Sequence, residues 1–185
     1  VKNIIALTIA LVMVGITGIG CDDRVIDPAN SSKLVITVSG TSDVLYKPIG
    51  ESSEVKAVYL SITGAEIKPK DEAWKTLSVM IESVDLVELA DKGLTKLLID
   101  EDLDAGWYDQ IRLFFDDSKI VVDGDTLDLF IPSGLQTGYK IVDAFEVVEG
   151  VLNLKIDFCV EQSVVRTGSD TYILQPTTRV RIVAD

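Results

Sequence analysis

The chain has 185 residues, with 17 basic and 30 acidic side chains, a formal charge of −13 and no histidine. A body this acidic is repelled by nucleic acid and by anionic lipid. The missing histidine removes the commonest general base and the commonest zinc ligand. With Cys21 and Cys159 as the two cysteines, a Cys–His nucleophile is excluded as well.

The N-terminal stretch reads as an export signal. Lys2 is a short basic start, Ile4–Ile19 is almost wholly apolar, and Gly20-Cys21 gives way at once to Asp22-Asp23-Arg24. Sixteen helical residues reach about 24 Å, short of the ~30 Å hydrocarbon core, so a transmembrane anchor fits less well. The segment Gly18-Ile19-Gly20-Cys21 resembles the lipobox of bacterial lipoproteins, although leucine is more usual at the first position. That resemblance implies a diacylglyceryl group on Cys21, cleavage before it, and anchoring to the cell membrane or outer membrane on the periplasmic or cell-surface side. The expected organisation is a signal peptide over 1–20, a lipidated cysteine and polar tether over 21–32, and a folded domain over 33–185.

The folded part alternates in the manner of half-buried strands. Lys33–Ser39 places Leu34, Ile36 and Val38 on one face, and a Gly-, Ser- and Pro-containing loop follows over 40–53. Val55–Ile67 turns Val58, Leu60 and Ile62 inward, with Gly64 marking a bulge or bend. Trp74–Leu77 reads as a short strand. Leu77–Leu89 is ambiguous, because Leu77, Met80, Ile81 and Val84 suit a helix while Val84 and Leu86 alternate; a strand is favoured for Ser83–Leu89. Another strand is expected over Leu94–Ile99, then an acidic turn over Asp100–Gly106, then a strand over Trp107–Phe115 that Asp116-Asp117-Ser118 turns. Lys119–Val122 and Asp125–Ile131 are joined by Asp123-Gly124, a pair suited to a type I′ hairpin, with Ile120 opposite Leu127. Ala144–Val148 and Val151–Phe158 suggest a second hairpin around Glu149-Gly150, and Tyr172–Val183 closes the chain with Pro176 at an edge or bulge.

Eight or more short strands with little helix predict an all-β fold, an antiparallel β-sandwich. The segments Val84–Leu89, Ala105–Leu113, Val121–Gly124, Ile131–Gly134, Leu154–Phe158 and Tyr172–Pro176 stand in an order that resembles an uncharacterised family of bacterial and archaeal lipoproteins, known as a domain of unknown function. The resemblance covers roughly Leu34–Val183. It implies an exported, membrane-anchored sandwich of immunoglobulin-like or prealbumin-like type and brings no known activity. The family often carries a second acidic residue where this chain has Cys159, leaving Asp157 alone.

Candidate sites are few. Asp100, Asp102 and Asp104 alternate like the start of a calcium loop, but an EF-hand needs Gly and Glu where Ala105 and Ile111 stand. A different Ca2+ site could use the three with Asp116, Asp117, Asp123 or Asp125; a solvated acidic turn is the plainer reading. Trp74, Trp107 and Tyr108 could stack on a sugar or peptide, or simply pack. Ser133 and Ser163 lack a histidine to activate them, and Cys159 suits a small buried hydrophobe. The favoured function is non-catalytic: an anchored domain that binds an unknown protein or glycan partner or supports the envelope. A carbohydrate- or calcium-binding module is the alternative, and a carboxylate-dependent hydrolase ranks below it.

Overall fold

A computed structural model describes residues 32–41, 55–132, 136–141, 144–167 and 171–183. The leader, Cys21 and the tether up to Ser31 lie outside the described residues, as do most of the 40–53 loop and Ser133. The fold is an all-β sandwich, as the alternation predicts.

One sheet has four strands in the order β14 (Thr178–Val183), β11 (Gly150–Cys159), β1 (Ser32–Thr41), β5 (Thr95–Leu103). The second is built on the long strand β2 (Val55–Pro69). Strands β6 (Gly106–Phe115) and β7 (Lys119–Val122) both pair antiparallel with β2 in successive registers, so they lie end to end along one of its edges. Strands β3 (Lys75–Leu77) and β4 (Ser83–Asp85) pair with successive parts of β2 too. The sheet continues from β7 through β8 (Asp125–Phe130) and β13 (Thr171–Leu174) to β12 (Val164–Thr167), while β9 (Tyr139–Ile141) and β10 (Phe145–Val147) pair with β6. Leu34, Ile36, Val38, Leu154, Ile156 and Phe158 from the first sheet share one buried core with Ile62, Ile67, Leu113 and Phe115 from the second.

Bulges reset the alternation. Thr63 is left unpaired between the Ile62–Phe115 and Gly64–Phe114 pairs. The buried side chains of β2 accordingly switch from Val58, Leu60 and Ile62 to Ala65 and Ile67. The bend expected at Gly64 is therefore present. The Asp123-Gly124 hairpin also forms, with positive φ at both residues and Ile120 opposite Leu127.

Several expectations are overturned. Ser83–Leu89 is a strand only to Asp85; Leu86–Lys92 is the helix α1. Asp85 caps it, accepting from the Val87 and Glu88 amides at 3.0 and 3.4 Å, and Gly93 ends it in the left-handed region at φ 61°. Buried Leu86 and Leu89 then fill the core. The Asp100–Gly106 turn is mostly strand, since β5 continues to Leu103 as the neighbour of β1. Asp116–Ser118 does not reverse the chain; it links the collinear β6 and β7, and Ser118 bonds the Ser61 amide. The Glu149-Gly150 hairpin does not form: β10 pairs with β6 while β11 pairs with β1 and β14, so this link crosses between sheets. Pro176 divides the closing strand into β13 and β14, one in each sheet. Finally, β1–β11 and β8–β13 are parallel pairs, each made possible by a long excursion of the chain between its two strands.

The end of the sandwich where β1 begins is defined by register. Ser32 lies opposite Leu103 and Gly150, and Gly106 lies opposite Val147. Two of the links between the sheets, β5–β6 and β10–β11, therefore sit at this end.

Candidate functional site

The second sheet's outer face carries a linked group of polar and aromatic side chains. On β2 and β6 the bulge-adjusted alternation points Glu66 and Arg112 outward as cross-strand partners, and their side chains form an ion pair. The Arg112 guanidinium lies 4.1 Å from the Trp74 ring centroid and 5.3 Å from that of Phe114. Trp74 reaches it because β3, which follows directly, pairs with β2 beside Glu66. The carboxylate fixes the guanidinium plane and the rings shield it, a planar arrangement lysine could not reproduce. Lys140 on β9 lies opposite Arg112 along the next strand. Chemically this is a charge-paired, aromatic-flanked surface.

The first sheet holds the buried charge. Asp157 on β11 accepts hydrogen bonds from the Ser39 hydroxyl and from Arg181 Nε, the latter at 2.7 Å, and Lys155 Nζ lies 3.4 Å away. Burial pushes its carboxyl up, but the bonds from Ser39 and Arg181 and the charges of Lys155 and Arg181 outweigh this and hold it below the usual carboxylate range. A carboxylate kept ionised in this way ties β1, β11 and β14 together; it is poorly suited to act as a general acid.

The residues singled out in the sequence are dispersed. Asp100 and Asp102 project from the same side of β5, where Asp100 pairs with Lys33 at 2.6 Å; Asp104 sits in the following turn, 3.4 Å from Lys75. Asp117 and Asp128 share Lys119, and Asp116 accepts from the Asp117 amide. Among the described residues no group of three acidic or cysteine side chains is placed to hold a metal ion. Trp107 and Tyr108 point opposite ways. Tyr108 is buried, stacks on Phe145 at 5.7 Å between centroids and donates to the Asp104 carbonyl at 2.8 Å, whereas Trp107 is 52% exposed. Cys159 is a free, buried thiol, in keeping with its reading as a small hydrophobe. The Ser163 hydroxyl is spent on the Cys159 carbonyl and the Thr177 amide at 2.6 and 2.9 Å. Sequence reasoning missed the Arg112 and Asp157 groups; Asp157 stands between inward Ile156 and Phe158, which marks it as outward but not as buried.

Residues 41–176 match the family described as domain of unknown function (DUF4382). The chain belongs to this family. No curated protein and no solved structure matches it. The DUF4382 match includes Trp74, Arg112 and Asp157 but stops short of Ser39 and Arg181. The two strands that hydrogen-bond Asp157, β1 and β14, thus flank the matched segment: all but the last residue of β1 and all of β14 lie outside it.

Proposed function

We propose that this DUF4382 protein is an exported lipoprotein, fastened to a membrane through diacylglyceryl Cys21, whose β-sandwich serves as a non-catalytic binding or structural module. The observation that carries the reading is the junction at Cys21. A thiol stands where an apolar leader turns acidic, and ten polar-rich residues, Asp22–Ser31, separate it from the first strand at Ser32. Two acyl chains supply the double signal that stable anchoring needs. The non-catalytic reading is supported by the locked states of the groups that could react. Asp157 is held ionised, the Ser163 hydroxyl is occupied, and the chain has no histidine. The rigid Glu66–Arg112–Trp74–Phe114 face is the better candidate for contact with a partner.

The test is Cys21→Ser with labelled palmitate and membrane fractionation. The wild-type chain takes up label and sediments with membranes, and the variant does neither. Label retained by the variant would overturn the assignment.

A further inference from the structure

The geometry points to a second membrane contact: the end of the sandwich that receives the tether is itself a docking surface for the bilayer that carries the anchor. This rests on the proposed lipidation of Cys21. Exposed apolar side chains gather at that end from both sheets. Trp107, one residue past the paired Gly106, is 52% exposed; Val148, in the β10–β11 link, is 57% exposed; Val151, one residue past Gly150, is 52% exposed. Strand β14 runs towards the same end and finishes with exposed Ile182 and Val183.

Trp107 leaves from the outer face of one sheet and Val151 from the outer face of the other. The inter-sheet links bring them to the rim of one end, because Ser32, Gly150 and Leu103 share a register row while β5–β6 and β10–β11 cross beside it. Large exposed apolar groups are normal when scattered; a tryptophan and two valines ringing one end are a patch. Tryptophan favours the membrane–water interface, where its ring is buried and its N–H stays wet.

The occupant follows from where the tether ends. Ten residues lie between Cys21 and Ser32, and the eleven steps they make span at most about 40 Å. A relaxed coil of that length averages only about 18 Å, less than the length of β1, so the acyl group holds this end closer to the lipid surface than the α1 end. The high local concentration created by such a link lets a weak apolar contact persist. Around the patch the exposed acids Asp71, Asp104, Glu146 and Glu149 outnumber the exposed Lys70 beside Trp107, so the lipid surface it suits is zwitterionic, not anionic.

The chain has two tryptophans, which makes the test direct. Full-length lipidated protein carrying Trp74→Phe is placed in phosphatidylcholine vesicles, with and without lipids brominated near the headgroup. Trp107 emission is expected to shift to the blue, to fall several-fold with brominated lipid, and to resist acrylamide. Adding Val148→Ser and Val151→Ser should restore acrylamide access while palmitate label and circular dichroism stay unchanged. Should Trp74→Phe disturb folding, the difference between wild type and Trp107→Phe isolates the same signal. Emission of Trp107 that ignores brominated lipid, in protein that carries the palmitate label, overturns the docking and leaves the anchor standing. Protein without label overturns both.

Discussion

At Gly40 strand β1 runs directly against the backbone of helix α1, and replacing it tests how the core is assembled. A Cβ built on Gly40 falls 2.0 Å from the Leu86 carbonyl oxygen, where ordinary contact begins at 3.4 Å. The obstacle is backbone, so it cannot rotate aside. Either β1 or α1 must move by more than 1 Å. On the β1 side, Ser39 is bonded to Asp157. On the helix side, Leu86 and Leu89 are fully packed, and Asp85 holds the first turn. Overpacking typically costs about 1–3 kcal/mol, and two restrained partners place Gly40→Ala near the upper end, at about 3 kcal/mol. In a domain of this size each kcal/mol moves the melting temperature by roughly 2–4 °C, so a fall of about 6–12 °C is expected. Gly93→Ala is the comparison. Gly93 also lies in α1's cap, at φ 61°, but nothing stands within 4 Å of its added Cβ. Its cost is backbone strain alone, about 1–2 kcal/mol. Urea and thermal melts of the three proteins, with an unchanged m-value, would measure both effects. If Gly40→Ala is no more destabilised than Gly93→Ala, the close approach of β1 to α1 is not what limits that position.

Other substitutions probe the remaining tertiary ties. Asp157 has a folded-state pKa below the ordinary carboxylate value, so its stabilisation is full above about pH 4, the unfolded value, and is lost as pH falls through the lower folded one. Asp157→Asn should lose about 2 kcal/mol at neutral pH and show a flatter acid limb than wild type; melting curves at pH 7, 5 and 3 that run parallel for the two proteins would refute this. Asp85→Ala removes the α1 cap together with a bond from the Val58 amide at 3.2 Å, so a loss of about 1–2 kcal/mol is expected by urea denaturation. Cys159, free and buried, should stay silent to a thiol reagent in native Cys21→Ser protein and react once urea unfolds it.

Strand content and class could be read from alternation because the core faces are locally regular. Leu34, Ile36 and Val38, or Leu154, Ile156 and Phe158, each announce a buried face without help from distant residues. Pairing could not be read that way. A hairpin is the default for neighbouring strands, and Glu149-Gly150 offers a plausible turn. Yet β11 finds parallel β1, more than a hundred residues earlier in the chain, because Leu152, Leu154 and Ile156 match Leu34, Ile36 and Val38 face to face. Helix α1 did have local marks: Asp85 followed three residues later by Glu88, and Gly93 after Lys92, resemble a capping box and a C-cap. The alternation of Val84 and Leu86 obscured them, since a strand ending at Asp85 and a helix beginning at Leu86 share those residues.

The candidate site was harder to see because bulges decide which side chains face out. Counting back by twos from buried Ile111, Leu113 and Phe115 puts Asp109 and Trp107 inside and Tyr108 outside. The structure does the reverse. Gln110 pairs with Lys68 and Tyr108 with Pro69, which leaves Asp109 without an opposite residue and inverts the parity beyond it. Tyr108 thereby enters the core against Phe145, and Trp107 emerges beside the β10–β11 link. The same logic operates at Thr63 on β2, where the extra residue turns Glu66 outward to meet Arg112. Each bulge costs the ladder one paired residue and marks no obvious pattern in composition, yet together they choose the tryptophan that faces solvent and the ion pair that stands on the outer face. The outer surface of this sandwich is therefore written less in which residues the strands contain than in where their pairing skips.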